Sequence, residues 1–257
     1  MSFVVQTLGT GPDIVFFHGW GMNSEVWQET AQVLSENYRV HLIDLPGFGQ
    51  NNHQSCDYEI DALTQTILPH LPEQAIIVGW SMGGLLAMNI VVKFPQRISK
   101  LILIASNAQF VASDDWPTAM RPEILDGFVK NLSEDYQQTL QRFLMLQARG
   151  GDNSRETIRA LKHRLYQHGE PAAAALSGGL VLLKNTKLVN QLSDIKVPSL
   201  LLYGRLDALV PITAVKKMAQ AIPDATIHIF QKAAHAPFIS HFNEFINEID
   251  RFLNDTK

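Results

Sequence analysis

The chain has 257 residues, 46% of them hydrophobic, with 25 acidic against 21 basic side chains and a formal net charge of −4. That is enough apolar material for one large core, and the charge balance points to neither nucleic acid nor an anionic membrane surface as a partner. No apolar run approaches the ~18 residues that span a bilayer, and the opening "MSFVVQTLGTG" has no basic n-region, so a cytoplasmic monomer without a leader or membrane segment is expected.

The first strand-like runs are 3–7 and 13–17. The second leads into "FFHGWGMN", where Gly19 and Gly21 allow close backbone approach and His18 reads as a hydrogen-bonding support for the loop. A helix is expected over 24–36 and a strand over 39–43. Asp44, in "HLIDLPGFG", reads as a turn former ahead of Pro46-Gly47. Cys56 is the lone cysteine, which excludes an intramolecular disulfide and fits a reducing compartment. With no basic neighbour in sequence to lower its pKa, it reads as chemically incidental.

A helix over 58–68 precedes the apolar strand 75–79. Directly after it comes "GWSMGG", residues 79–84, and then a helix over 82–94. A serine between small residues at a strand-to-helix turn fits Gly-x-Ser-x-Gly, in which the hydroxyl is presented on a strained backbone. Ser81 is therefore the candidate nucleophile. The backbone N–H of Met82, at the start of the helix, is placed to stabilise an oxyanion, and a second N–H is expected from Trp20 in the loop after strand 13–17. The Trp20 ring is expected to wall the pocket.

After a strand over 100–105 the alternation stops. Residues 110–193 contain helix-like segments and no convincing strand, so they read as a helical cap inserted between core segments 1–109 and 194–257. Within it, "SEDYQQTLQRFLMLQ" begins at a potential N-cap, Ser133, and carries an apolar stripe at Leu140, Phe143, Leu144 and Met145. Strands over 199–203 and 225–230, with helices over 212–221 and 242–253, complete the chain. Runs such as "LILIA" and "LLLYG" are apolar on both faces, as in a mostly parallel sheet covered on both sides.

A serine hydroxyl needs a base. Of nine histidines, His235 in "KAAHAPF" follows the last strand on the same sheet edge as Ser81. The base in turn needs an acid to fix its tautomer. Asp207, in "LYGRLDALVP", lies just beyond the penultimate strand and gives the chain order Ser, Asp, His, whereas Asp44 precedes both. There is no H-E-x-x-H, Rossmann or P-loop pattern, so no metal and no cofactor is expected.

The segments "FFHGWGMNSEVW", "LIDLPGFG", "GWSMGG", "LYGRLDALVP" and "AAHAPFISH" follow one another across nearly the whole chain and resemble the α/β-hydrolase superfamily. More narrowly, "HGWG", "GWS" and "KAAHAPFISH" resemble the family of bacterial biotin-synthesis esterases that remove the methyl ester from pimeloyl-acyl-carrier protein. The resemblance implies an α/β-hydrolase fold with an inserted cap, a cofactor-free carboxylesterase, and Ser81, Asp207 and His235 as its triad. It implies substrate contacts at Trp20, Ser81, Met82, His235 and the segment Phe143, Leu144, Met145, Leu146 and Gln147. The implied partner is an acidic carrier protein. Arg155, Arg159 and Lys162 stand at i, i+4 and i+7 on one helix face, with Arg142, Arg149 and Arg164 near in sequence. Docking is expected at Arg142, Arg155 and Arg159, although Gln138 stands where the family pattern has a further arginine. Other cap-bearing hydrolases, such as lactonases, C–C hydrolases or menaquinone-pathway lyases, share the triad. A non-catalytic receptor would lack one of its members.

Overall fold

The computed structural model describes residues 2–255. Its seven strands are β1 (Val5–Leu8), β2 (Asp13–Phe17), β3 (Arg39–Ile43), β4 (Ala75–Trp80), β5 (Ile98–Ile104), β6 (Ser199–Gly204) and β7 (Ala225–Phe230). They form one sheet in the order β1-β3-β2-β4-β5-β6-β7, with only β1 antiparallel to its neighbour. The α-helices in chain order are α1 (Gln28–Leu34), α2 (Ile60–Ile67), α3 (Met82–Lys93), α4 (Pro122–Glu134), α5 (Tyr136–Ala148), α6 (Ser154–Leu165), α7 (Ala173–Asn185), α8 (Ile212–Ala221), α9 (Pro237–Ser240) and α10 (Phe242–Asn254). Among the described residues, no helix is long and apolar enough to cross a membrane.

Every residue of β4 and β6 is buried, as is α3 from Met82 to Val91. This is why those strands read as continuous apolar runs rather than alternating ones. From β2 the chain steps to β3 on one side and then returns to β4 on the other. The two connections diverge at that point and open a crevice at the strand C-termini. Phe17 pairs with Gly79 in this register, so the loop after β2 runs beside the turn after β4.

Helices α4 to α7 lie between β5 and β6, and hydrogen bonds fasten them to loops at the C-terminal edge of the sheet. Trp20 Nε1 donates to the Leu176 carbonyl at 2.8 Å, and Asn23 Nδ2 to the Arg164 and Leu165 carbonyls. Ala172 N–H donates to Gly47 O, His235 N–H to Gln147 O, and Asp152 N–H to Lys232 O.

Several boundaries differ from expectation. The predicted helix over 24–36 is a 3-10 turn (Ser24–Trp27) followed by α1, and the turn is capped by Asn23. The helix expected to begin at Ser133 begins after Asp135, whose carboxylate accepts the Gln138 N–H at 2.9 Å, while residue 133 still belongs to α4. Both Ser and Asp are good caps, and tertiary context chose between them.

Asp44 is a structural hub. Buried behind the crevice, its carboxylate accepts Ser24 N–H at 2.6 Å and Gln50 N–H at 2.8 Å, and its carbonyl accepts Asn51 Nδ2. Removing the carboxylate strands two buried donors, and each unsatisfied group costs about 1–3 kcal/mol. Asp44→Ala is expected to lower unfolding free energy by about 2–4 kcal/mol in urea titration, with Asp44→Asn losing less because its amide oxygen keeps one acceptor.

Candidate active site

Ser81 follows β4 and precedes α3 with φ +54° and ψ −117°, a left-handed conformation that a non-glycine residue adopts only under constraint. The constraint is visible on both sides. Ser81 N–H donates to Ile104 O at 2.9 Å, and the Ser106 hydroxyl donates to Ser81 O at 2.8 Å. The turn closes so tightly that a Cβ on Gly79 would come within 2.6 Å of Gly84 Cα, and one on Gly83 within 2.7 Å of Phe17 O. Larger residues at these two positions would push the elbow apart.

His235 lies in the loop between β7 and α9 and is fully buried. Its backbone is held from two directions: its N–H donates to Gln147 O at 2.9 Å, and its carbonyl accepts the Trp80 indole N–H at 2.9 Å. The second bond ties the His235 loop to the residue before Ser81. Nδ1 stands 2.7 Å from Asp207 Oδ2, and the other Asp207 oxygen accepts the N–H groups of Leu209 and Val210 at 2.8 and 3.0 Å. A carboxylate can only accept here, so Nδ1 carries the proton and Nε2 presents a lone pair. Nε2 is buried and has no hydrogen-bond partner in the protein, the Ser81 hydroxyl included. Such serine–base contacts are often long before substrate binds.

The loop after β2 completes the rim. A methyl group added at Gly19 would touch Ser81 Cβ at 3.2 Å. His18 is buried beneath this loop. Its Nε2 accepts Leu45 N–H at 3.0 Å, so the proton sits on Nδ1, which donates to Gly19 O at 2.8 Å. The imidazole thus joins the β2 and β3 loops, the supporting role read from the sequence.

A small apolar cavity opens at Ser81, lined by Phe110, Met120, Leu125, Phe128, Phe143, Leu183 and Leu209. Its volume of about 10 Å³ holds no more than a single water. Within the segment 143–147, only Phe143 reaches it. Leu144 is buried off the cavity and Leu146 is half-buried. Met145 is 51% exposed and leaves the expected stripe, because two residues on from Phe143 the helix has turned by about 200°. Gln147 is fully buried one turn further along the same face of α5, where both polar side-chain atoms lack a protein partner. Trp20 does not line the cavity. Its ring stands edge-on behind Phe143, with centroids 4.8 Å apart. The remaining lining residues come from several separate segments and carry no shared periodicity, so the sequence offered no signal for them.

Arg142, Arg155, Arg159 and Lys162 are exposed and make no ion pair among the described residues. Arg164 differs from expectation: it is largely buried and pairs with Glu29 at 2.7 Å, which fixes α6 to α1. Cys56 is half-buried, and burial pushes its thiol up to about 11, in keeping with an unreactive cysteine. No group of three or more metal-ligating side chains occurs among the described residues.

A family model described as the alpha/beta hydrolase fold matches residues 12–242. A pimeloyl-[acyl-carrier protein] methyl ester esterase of Aeromonas hydrophila is 42% identical over 254 residues, covering 98% of this chain and 100% of its own. One of the same description from Photobacterium profundum is 43% identical over 248 residues, 96% of this chain and 97% of its own. Among solved structures, an esterase from Exiguobacterium antarcticum superposes with a TM-score of 0.88 at 20% identity, covering 98% of this chain and 95% of that one. At that identity the likeness speaks for the fold.

Burial holds His18 below the usual histidine pKa of 6.5. As pH falls through that value, the unfolded chain binds a proton that the folded chain excludes, so stability is present above pH 6.5 and lost below it. The expected slope from this residue is up to about 1.4 kcal/mol per pH unit. Urea midpoints measured from pH 7.5 to 5.5 should fall more steeply for the native chain than for His18→Asn.

Proposed function

Because the chain belongs to the α/β-hydrolase family, and to the group of pimeloyl-[acyl-carrier protein] methyl ester esterases that it matches end to end, we propose that it is a serine carboxylesterase hydrolysing the methyl ester of pimeloyl-acyl-carrier protein in biotin synthesis. The observation that carries the reading is the His235 ring. One nitrogen is bonded to a buried carboxylate, and the other is a free lone pair in a loop hydrogen-bonded to the residue before a strained serine.

The chemistry follows from these groups. Ser81 Oγ attacks the ester carbonyl as His235 Nε2 takes its proton. Asp207 holds the Nδ1–H tautomer and stabilises the imidazolium. The negative oxygen is received by the backbone N–H groups of Met82, at the N-terminus of α3, and Trp20, each donor worth about 2.7–4 kcal/mol in the transition state. Collapse expels methanol, protonated by His235. Water then attacks the acyl-enzyme with the same histidine as base, and the free acid leaves. No cofactor takes part.

Residues 110–193 form the cap, between core segments 1–109 and 194–257. An acyl chain at Ser81 lies against the apolar wall that Phe128 and Phe143 help to form, and the α4–α5 pair moves outward to admit it, since the resting cavity is too small. The exposed cations Arg142, Arg155 and Arg159 on α5 and α6 receive the acidic carrier protein and speed its encounter with the enzyme. Carrier-linked biosynthesis also implies a cytoplasmic setting.

Ser81→Ala is expected to lower turnover of p-nitrophenyl butyrate by ~10⁴-fold or more, the loss seen when a triad serine is removed. The same substitution should abolish rescue of a biotin auxotroph that lacks this esterase; rescue by the alanine chain would refute the assignment. Arg155→Glu combined with Arg159→Glu should reduce kcat/KM for the carrier-bound ester by ~10-fold or more at low salt while leaving the small ester within twofold. Equal losses on both substrates would argue against separate docking.

A further inference from the structure

The second half-reaction needs a water at His235 while the acyl chain still occupies the apolar side of Ser81. A wall of Phe110, Leu125, Phe128 and Phe143 offers that water no hydrogen bond. The polar groups lie one turn further along α5, lining a space apart from that wall. Gln147 Oε1 and Nε2, Thr157 Oγ1 and His235 Nε2 are all buried, and none has a hydrogen-bond partner in the protein. Buried polar groups in native proteins are paired, with ordered water where protein atoms do not serve.

These groups are connected. The Gln147 carbonyl accepts the His235 N–H at 2.9 Å, so the residue carrying the unpartnered amide abuts the base. Gln147 and Thr157 line one narrow slot together with Ala148, Gly151, Ala234 and Ser240. Thr157 and Ser240 also line a surface groove of about 770 Å³ bounded by Glu25, Glu29 and Arg159. The slot and the groove thus meet at Thr157 and Ser240, and Ala234 and Ala236 on the slot's wall flank His235 in the chain. Its walls are mostly small: a Cβ on Gly151 would come within 3.1 Å of Ala234 N. In the resting arrangement the slot is closed to a water-sized sphere.

We propose that this seam is the hydrolytic water's route to the acyl-enzyme, and that Thr157 and Gln147 pass the water inward to His235. The inference rests on the Ser81 esterase reading above. In the step it serves, the water oxygen bonds to the acyl carbon while His235 Nε2 takes one water proton. The bond between that carbon and Ser81 Oγ then breaks, and the imidazolium returns the proton to Oγ. Acylation uses no water, so the seam affects only the second half.

That asymmetry provides the test. Stopped-flow hydrolysis of p-nitrophenyl butyrate separates the first equivalent of p-nitrophenolate from later turnovers. Gln147→Leu replaces an unpartnered amide with an apolar group of similar size, and Thr157→Val is isosteric, so both chains are expected to melt at or above the native temperature. In both, the first equivalent should appear at the native rate while later turnover falls fivefold or more, and mass spectrometry should find Ser81 butyrylated during the reaction. Later turnover within fivefold of native in both variants, or a parallel loss in the first equivalent, overturns the water route and leaves the esterase reading standing. A native enzyme that hydrolyses the ester with no acyl group ever found on Ser81 overturns the esterase reading itself.

Discussion

The backbone of Ser81 is the constraint on which the rest of the site depends. A left-handed serine costs on the order of 1–3 kcal/mol and persists only where its surroundings leave no alternative. Here they come from the most buried part of the molecule. The strand before it and the helix after it are inaccessible to solvent, and its own peptide groups are bonded to β5 and to the loop beyond it. Relaxing the elbow would require α3 to lift from the sheet, exposing a helix buried from Met82 to Val91. Burial of one central helix thus holds a reactive hydroxyl in place.

The same economy recurs around the base. His235 is oriented by its ring through Asp207 and by its backbone through Trp80 and Gln147, and those three residues come from β4, α5 and the loop after β6. One of them, Gln147, belongs to the inserted helices. The cap and the base therefore cannot move independently near that point. On the side facing Phe128 and Phe143 the rings meet edge to face, Trp20 on Phe143 and Phe143 on Phe128, and Trp20 is also hydrogen-bonded to the Leu176 carbonyl of α7. A closure that opens at the aromatic side while staying hinged at Gln147 would admit an acyl chain without disturbing the imidazole.

How far the sequence could be read depended on the range of the interactions. The parallel sheet was legible because β4, β5 and β6 are buried on both faces and leave uninterrupted apolar runs. The strained turn at Ser81 and the pairing of His235 with Asp207 were legible because each falls in the first residues after a strand, where the fold brings distant loops together. The Trp20 ring was not, because its direction is set by the Leu176 carbonyl, 156 residues away. Met145 was misjudged for a simpler reason: hydrophobicity alone does not say which of three neighbouring helical positions faces inward. The second role of α5, with Phe143 at one cavity and the unpartnered amide of Gln147 at another a turn further on, emerges only when the surrounding elements are packed.

Arg164 shows how a charge run can serve two purposes. Of the cations clustered on and near α6, it is the one turned inward, and it is spent on Glu29 while His168 just beyond the helix meets Glu25 at 2.7 Å. These contacts lie on the face of α6 that borders the core. Arg155, Arg159 and Lys162 are exposed on the outward face and make no ion pair among the described residues. The ion pair on the reverse of the same helix fixes which way these exposed cations face. Exposed charges of this kind act on the rate of encounter with an oppositely charged partner more than on final affinity.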